Sequence, residues 1–523
     1  MKTFATAALV FLSALSATVF AAAPADPALD AVFNDAVARY KLPGLAVGIV
    51  RDGEIVYRRT SGEREVGTGE KIDADTIFKI ASNSKAMTAA VLARLVDAGK
   101  LKWDDPVVKY LPDFRMFDPW VTQQLQVRDL LIHNSGLGAG AGDLMLWPEP
   151  NRFERADVLK GLGYLKPTYS FRSRYAYDNT LYIVAGEVAA KAGGAPYEEL
   201  VRRELFQPLG LKRCRVGEWN RKEVGNVAQP HGWRDDRAVV VNADPETIQA
   251  IPMAAAGGIR CSLNDMLTWA QMWLQPDQRG LIGGKPWLSQ AQRDAVWTAH
   301  TLMPLSKRMR EWDNSHFSAY GYGWRLTDVD GTGKVSHTGT LSGMYSALTL
   351  LPQKKIGIVV LINADAEEAR TVLTQALVKH FTAPTEKRGV AHYAEAIARE
   401  EHAATAASKL RDTSSRKPVA AGETKGRLGV YRDPWFGEVA ICANPAGAVT
   451  FASAKSPTMT GAVMRVGERL LVDWDSDRMD TEAWLDFDTK AKPIRLTMAK
   501  TDPDADFSSD YEDLHFERIG DCR

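Results

Sequence analysis

Apolar and polar positions along the chain follow two spacings, one typical of helices and one of strands. Apolar residues recur every third or fourth position over residues 29–40 and 367–381, which predicts a helix in each segment. Short apolar runs make two predicted hairpins, 45–50 with 54–59 and 345–351 with 356–363. The first pair flanks Asp52-Gly53, a strong turn signal. Hairpins at both ends with helices between them favour an α+β fold, in which helices flank an antiparallel sheet.

Two further helices are predicted between the hairpins. Residues 86–98 carry an apolar stripe that ends at Gly99, a residue that often terminates helices. Ser262 and Asp265 have the spacing of a capping box and precede the apolar positions Met266, Trp269 and Met272. We assign these elements to a first domain, residues 30–385.

The composition changes after this domain. Residues 386–427 are rich first in Ala, Glu, Lys and Arg and then in Ser, Pro and Gly, which predicts a linker that is helical in part. Residues 428–523 contain short alternating runs, at 438–442, 449–451, 469–474, 483–487 and 494–498, which are separated by turn residues. This pattern predicts a small, mostly antiparallel all-β domain. A length of 523 residues exceeds one ordinary core and by itself predicts two or three domains.

The first 23 residues have the three parts of a secretory signal peptide. Met1-Lys2 is a basic start, residues 4–20 are apolar, and residues 21–23 are small. We therefore expect a periplasmic or secreted protein with no membrane span once the signal is removed. Export would allow disulfides, and among three possible connectivities the natural pairing is Cys214 with Cys261 and Cys442 with Cys522.

Charge and residue spacing argue against several classes of function. Lysine plus arginine and aspartate plus glutamate both total 65, so the net charge is zero and no basic surplus indicates nucleic-acid binding. The cysteines lack the close pairs of a zinc site, and the chain has no His-Glu-x-x-His motif. The prediction therefore includes no cofactor and no metal.

Ser82 and Lys85 are the first candidates for chemistry. They lie three residues apart just ahead of the predicted helix 86–98, so they share one face of its first turn. A hydroxyl beside an amine at the positive end of a helix can form an activated nucleophile. The same spacing recurs at Ser414 and Lys417, in a polar stretch with no apolar helix behind it, which we interpret as chance.

Two later motifs support the Ser82 pair. Tyr177-Asp178-Asn179 precedes an apolar helical run, and His337-Thr338-Gly339 ends a predicted strand. Each motif alone is weak, because the first is typical of a loop with a capping asparagine and the second of a turn. Their order along the chain carries the weight, since a serine-lysine pair, a Tyr-x-Asn triplet and a late strand could meet at one cleft.

This arrangement resembles the penicillin-recognising serine hydrolases, a family that includes class C β-lactamases, D-Ala-D-Ala carboxypeptidases, D-aminopeptidases and related esterases. Residues 131–137 resemble the family's His-x-Ser-Gly-Leu segment, and Ala255-Ala256-Gly257-Gly258 resembles the segment before its late helix. The resemblance covers about residues 30–381. It implies an antiparallel sheet with flanking helices, a helical lobe, and a site in the cleft between them. The final domain resembles the lipocalin-like domains appended to some exported relatives.

The resemblance implies a role for each motif residue. Ser82 would be the acylated nucleophile, and Lys85 would lower the pKa of its hydroxyl or shuttle its proton. Tyr177 would be the general base, as a phenolate sustained by nearby positive charge, and which of Lys85 and Tyr177 takes the first proton stays open. Asn179 would bind Lys85 and the substrate amide. The backbone N–H groups of Ser82 and Thr340 would hold the oxyanion. The substrate-binding and supporting residues are then Asn179, His337, Thr338, Gly339 and Thr340.

One departure from the family pattern bears on the substrate. The β-lactamases carry Lys-Thr-Gly where this chain has His337-Thr338-Gly339, and histidine is mostly neutral near pH 7. The resemblance therefore implies a serine hydrolase that forms an acyl-enzyme and cleaves amide bonds in short peptides, some with D-residues. The alternatives are an esterase or weak β-lactamase of the same mechanism, or a non-catalytic binding protein. The expected partner is a small peptide, amide or ester, and oligomers are possible.

Overall fold

An eight-stranded antiparallel sheet organises the first part of the chain. The computed structural model describes residues 26–407, 412–424 and 426–522, so the predicted signal peptide lies outside the described residues. In chain order the strands are Gly44–Arg51 (β1), Glu54–Gly62 (β2), Thr301–Leu302 (β3), Ser318–Tyr320 (β4), Arg325–Val329 (β5), Thr332–Leu341 (β6), Met344–Leu351 (β7) and Ile356–Ile362 (β8). Their order across the sheet is β3-β4-β5-β6-β7-β8-β1-β2, with antiparallel pairing throughout. The predicted α+β fold is thereby confirmed.

Helices cover both faces of this sheet. The α-helices of five or more residues are Pro27–Arg39 (α1), Ser84–Asp97 (α2), Pro119–Gln124 (α3), Arg155–Gly161 (α4), Thr180–Gly193 (α5), Tyr197–Val201 (α6), Leu263–Leu274 (α7), Gln290–Val296 (α8), Lys307–Asp313 (α9), Glu367–Thr382 (α10) and Val390–Ala407 (α11). Ala46 and Val50 of β1 pack with α2 and α7, whereas Val47 and Ile49 pack with α1 and α10. This period-two alternation buries both faces of the strand.

Helix α7 packs closely against β1 at Gly48. A Cβ at Gly48 would lie 2.7 Å from a methyl of Leu267. One of the two hydrogen bonds of the predicted capping box is present at the start of α7: Ser262 Oγ accepts from the Asp265 N–H at 3.2 Å. The close packing holds α7 and, beside it, α2 against the sheet.

The segment predicted as a linker contains a helix that belongs to the core. In α11, Val390, Tyr393 and Ile397 are buried against α1 and α10. The sequence pattern predicted helix here but not its packing, since an Ala- and Glu-rich composition does not reveal a tertiary contact.

The last part of the chain is a closed antiparallel β-barrel. Its strands are Gly429–Asp433, Gly437–Ala443, Val449–Ser453, Thr460–Val466, Arg469–Trp474, Ala483–Asp488, Arg495–Lys500 and His515–Gly520. The first pairs with the last, and successive pairings close the ring, so these eight strands share no free edge. The short strand Lys417–Pro418 adds to it from outside.

Two disulfides join the cysteines as expected. Cys214 is bonded to Cys261 in the first region, and Cys442 to Cys522 in the barrel. None of the helices within residues 26–407, 412–424 and 426–522 has both the length and the apolar content needed to cross a bilayer.

Candidate active site

Ser82 lies in a sharp turn at the wall of a cavity of about 690 Å³. The turn is the 3₁₀ segment Ala81–Asn83, and α2 begins directly after it at Ser84, two residues earlier than the apolar pattern predicted. Ala81 has a φ of 47°, a left-handed conformation that is costly for a residue with a Cβ. Residues with such backbone strain cluster at functional sites. Here the strained turn places Ser82 at the cavity wall.

Lys85 is buried beneath Ser82 with its amine held by three oxygens. The side chain is fully buried. Its Nζ lies 3.2 Å from Ser82 Oγ, 2.7 Å from Asn179 Oδ1 and 3.0 Å from the carbonyl oxygen of Ala256. The last two oxygens can only accept hydrogen bonds. A neutral amine that donates to both therefore directs its lone pair at the Ser82 hydroxyl.

Burial shifts the pKa values of the two candidate bases in opposite directions, that of Lys85 down and that of Tyr177 up. Loss of solvation lowers the pKa of Lys85 to about 7, because burial disfavours the ammonium form. Burial raises the pKa of Tyr177 to about 12, although the nearby Arg325 guanidinium acts to lower it. At pH 7 a large fraction of Lys85 is thus a free amine, whereas Tyr177 is a phenol.

Tyr177 and Asn179 come from the loop that leads into α5. The Tyr177 ring centroid lies 4.8 Å from Lys85 Nζ, and both Tyr177 and Asn179 line the cavity with Ser82. Asn179 precedes the first residue of α5 but makes no side-chain capping bond. Its amide instead bridges two buried groups, because Oδ1 accepts from Lys85 and Nδ2 donates to Asp143 Oδ2 at 2.8 Å.

Strand β6 forms the opposite wall of the cavity. Its residues 337–341 extend beyond the last pair with β5, Arg325 with Ser336, and reach the Ser82 turn. A Cβ at Gly339 would lie 2.1 Å from the carbonyl oxygen of Ile80. Only glycine allows this approach, which brings the adjacent Thr340 to the cavity wall near Ser82.

Thr338 and His337 point to opposite sides of β6. Thr338 lines the cavity, and its Oγ1 accepts a hydrogen bond from Arg325 Nη1 at 2.9 Å. His337 is buried behind that wall, where Nδ1 donates to the Thr338 carbonyl at 2.7 Å and Nε2 accepts from the Tyr320 hydroxyl at 2.8 Å. Burial holds the pKa of His337 well below its usual value, so the ring is neutral with both nitrogens bonded within the protein.

The structure brings the sequence motifs together and adds groups that sequence reasoning missed. Asp143, the Ala256 carbonyl and Arg325 all contact the motif residues directly. The Ala255–Gly258 segment signalled one of them, since it matches a family segment, but its chemical role is a backbone oxygen. Asp143 and Arg325 had no signal in the sequence, because neither has a characteristic neighbour spacing. Across the described ranges, no cluster of three or more His, Cys, Asp or Glu side chains is arranged to hold a metal ion.

Comparison with known proteins places this chain in a family. The model of the β-lactamase family matches residues 29–381, more than half of the chain. An unguisins hydrolase of Aspergillus campestris is 26% identical over 374 residues, covering 68% of this chain and 65% of that protein. The chain thus spans just under two thirds of the length of that relative.

Two bacterial relatives and one solved structure extend the comparison. D-alanyl-D-alanine-carboxypeptidase/endopeptidase AmpH of Escherichia coli is 26% identical, over an alignment that covers 61% of this chain and 79% of AmpH. Esterase EstB of Burkholderia gladioli is 33% identical over 201 residues, 36% of this chain and 50% of its own. The octameric penicillin-binding protein homologue from Pyrococcus abyssi shares the fold, with a TM-score of 0.57 at 20% identity over 90% of this chain and 97% of its own. The chain belongs to the β-lactamase family.

Proposed function

We propose that this chain is an exported serine hydrolase that forms an acyl-enzyme on Ser82 and cleaves amide bonds in short peptides, including peptides with D-residues. The observation that carries the proposal is the setting of Lys85. Two carbonyl oxygens, those of Asn179 and Ala256, fix its N–H groups, and its remaining position faces Ser82 Oγ at 3.2 Å. A buried amine with a pKa of about 7 is matched to removing a serine proton at neutral pH.

The proposed reaction uses Lys85 as the acylation base. Lys85 takes the proton of Ser82 as its oxygen attacks the amide carbon, and the backbone N–H groups of Ser82 and Thr340 bind the resulting oxyanion. The phenol of Tyr177 passes a proton to the departing amine nitrogen and is reprotonated from Lys85. Water then hydrolyses the ester on Ser82 by the same route in reverse. Tyr177 acts here as a neutral relay because its pKa of about 12 leaves little phenolate.

The charges around the cavity support a peptide substrate. The guanidinium groups of Arg325, Arg370 and Arg478 line it, as do carboxylates of both the first domain and the barrel: Asp365, Glu367, Asp477, Asp480 and Asp506. Side chains of both signs suit a short peptide that carries a free carboxylate and a free amine. The neutral His337 supplies no cation, so we assign carboxylate recognition to Arg325 and Arg370, which hydrogen-bond to Thr338 and Thr340.

Esterase activity of the same mechanism is the second candidate. It is favoured by the relative esterase EstB, which is 33% identical over 201 residues. Ester cleavage also places less demand on Tyr177, because an alkoxide is a better leaving group than an amide nitrogen. Weak β-lactamase activity would follow from the same acyl-enzyme, limited by the missing lysine at position 337.

The chain contains its own matched control for the nucleophile. Purified protein is treated with a fluorophosphonate probe, and the modified peptide is located by mass spectrometry. We expect labelling of the wild type and of Ser414→Ala, whose serine is exposed and belongs to the second Ser-x-x-Lys pair, and none of Ser82→Ala. Labelling that persists in Ser82→Ala would refute the assignment.

A substrate panel then separates the candidate activities. D- and L-amino-acid anilides, p-nitrophenyl esters and nitrocefin are compared by kcat/KM on one preparation. Turnover of the anilides, with a preference for the D-series, is expected. Turnover of the esters alone would select the esterase instead.

Export, domain division and assembly complete the proposal. The disulfides Cys214–Cys261 and Cys442–Cys522 support an oxidising compartment, as does the signal-like start at residues 1–23. The proposed division is a hydrolase domain at 30–385, a connecting segment at 386–427 whose helix α11 packs on that domain, and a lipocalin-like domain at 428–523. Cell fractionation with N-terminal sequencing tests export, and an intact Met1 on cytoplasmic protein would refute it.

Light scattering tests whether the chain forms oligomers, as the Pyrococcus abyssi homologue does.

A further inference from the structure

A loop of the β-barrel forms part of the wall around Ser82. Asp506, Phe507 and Ser508 line the same cavity as the candidate nucleophile. The Phe507 ring lies edge-on to the ring of Tyr177, with centroids 5.7 Å apart. The barrel therefore contacts a residue of the site itself, more than 300 positions away along the chain.

A glycine-rich segment of the first domain, residues 138–142, provides the seat for this loop. Gly140 has a φ of 74°, and a Cβ there would lie 2.4 Å from the carbonyl oxygen of Phe507. The carboxylate of Asp510 accepts hydrogen bonds from the N–H groups of Gly142 at 2.6 Å and Leu144 at 3.1 Å. Asp510 is buried, so the barrel and this segment meet in a tight, desolvated contact.

Buried hydrogen bonds connect the loop to Lys85. Ser508 Oγ donates to Asp143 Oδ2 at 2.8 Å, and Asn179 Nδ2 donates to the same oxygen at 2.8 Å. Asn179 Oδ1 in turn accepts from Lys85 Nζ at 2.7 Å. Asp143 is fully buried, and Ser508 and Asn179 both donate to its Oδ2, whereas Oδ1 has no hydrogen-bond partner among the described residues. These two donors oppose the cost of burying the carboxylate. Ser508 is thus three hydrogen bonds from the base.

Several charged and titratable groups surround this connection. Those facing Lys85 are Asp143, Asp178, Arg325, His133, His337, Tyr177 and Tyr182, and those facing Asp143 are Asp178, Asp510 and Lys85. Burial raises the pKa of Asp143 well above its usual value, and the hydrogen bonds from Asn179 and Ser508 oppose that rise. An ionised Asp143 favours the protonated form of Lys85.

We propose that Ser508, supplied by the β-barrel, is a positioning residue of the hydrolase site: through Asp143 and Asn179 it holds the Lys85 amine against Ser82. The active site is then complete only with the barrel loop docked on residues 138–142. This inference rests on the proposed roles of Ser82 and Lys85. It assigns the last domain a part in the chemistry rather than a separate binding task.

The first test is Ser508→Ala in the full chain, measured as the rate of fluorophosphonate labelling of Ser82 between pH 5 and 9. Loss of one hydrogen bond to a carboxylate is expected to slow labelling about tenfold at its optimum. Asp143 becomes harder to ionise, Lys85 loses part of the charge that stabilises its ammonium form, and its pKa falls. The acid limb of the profile should therefore move to lower pH by about half a unit.

Two variants serve as controls for this effect. Ser508→Thr keeps the hydroxyl and should restore the wild-type profile. Thr458→Ala removes a different hydroxyl between barrel and first domain, which donates to the Pro150 carbonyl at 3.4 Å, and should leave the profile unchanged. A general loosening of the contact would slow labelling without moving the acid limb.

A double-mutant cycle tests the route through Asp143. Asp143→Asn removes the charge that Ser508 supports, so adding Ser508→Ala to it should cause no further shift of the acid limb. Additive shifts, or a Ser508→Ala profile identical to wild type, would overturn the inference while leaving the proposed function intact. Absence of Ser82 labelling in the wild type would overturn both.

Discussion

Replacing Gly339 by alanine should displace the strand that supplies Thr340 to the site. The added Cβ would lie 2.1 Å from the Ile80 carbonyl oxygen and 2.4 Å from Ser346 Oγ. An ordinary carbon–oxygen contact is about 3.3 Å, so β6 and the turn before Ser82 must separate by roughly 1 Å. Backbone atoms form the closest contact, and no side-chain rotation can relieve it.

The expected loss of activity follows from that separation. The Thr340 N–H would move away from the position at which the proposed oxyanion forms. Misplacement by about 1 Å, or loss of one such donor, costs on the order of 100-fold in rate. Crowding should also lower the unfolding free energy by about 1–3 kcal/mol, which leaves most of the protein folded at 25 °C.

Gly333→Ala is the matched control on the same strand. Its Cβ would come 3.0 Å from Gln353 Nε2, the end of a flexible side chain that can move aside. The assay is the second-order rate of fluorophosphonate labelling at pH 7.5, with circular dichroism to verify folding. Wild-type rates are expected for Gly333→Ala and about 1% of that rate for Gly339→Ala. A folded Gly339→Ala variant that labels within threefold of wild type would refute the reasoning.

Two further outcomes follow from buried lysines. Labelling of Ser82 should rise from low pH to a plateau with a midpoint near 7, because the neutral amine of Lys85 is the active form and its pKa is about 7. Stopped-flow labelling rates from pH 5 to 9 measure this midpoint. A midpoint near 10 would contradict the prediction. Lys379→Met should lower the unfolding free energy by about 3 kcal/mol and leave labelling unchanged, because Lys379 is 1% exposed and its Nζ pairs with Asp330 Oδ2 at 2.6 Å. Urea unfolding followed by fluorescence measures this loss. A change below 1 kcal/mol would show that Asp330 is well solvated without its partner.

Elements with strong local patterns were predicted from the sequence. The hairpin around Asp52-Gly53 and the helix now seen as α10 came close to their observed bounds, since turn chemistry and apolar periodicity are local properties. In the barrel, the strand Thr460–Val466 was not predicted. It lies between strands that were predicted, and only its pairing partners stabilise it as a strand.

Part of the candidate site could be predicted because it, too, has a local pattern. Ser82 and Lys85 are related by helix spacing, which the sequence displays directly, and the other motif residues followed from their resemblance to a family. The helical character of residues 390–407 was also predicted, but its place in the core was not. Contacts between distant segments leave no spacing that a single sequence can show.

By itself, the sequence determined the candidate nucleophile, the two candidate bases and the order in which their motifs occur. Only the tertiary structure decided what surrounds them: the Ala256 carbonyl and Asn179 that orient the Lys85 amine, and Asp143, which joins Asn179 to Ser508 of the barrel. The physical reason is that a pKa depends on burial and on neighbouring charges. Those neighbours are brought together by folding over several hundred residues, and no local pattern encodes them.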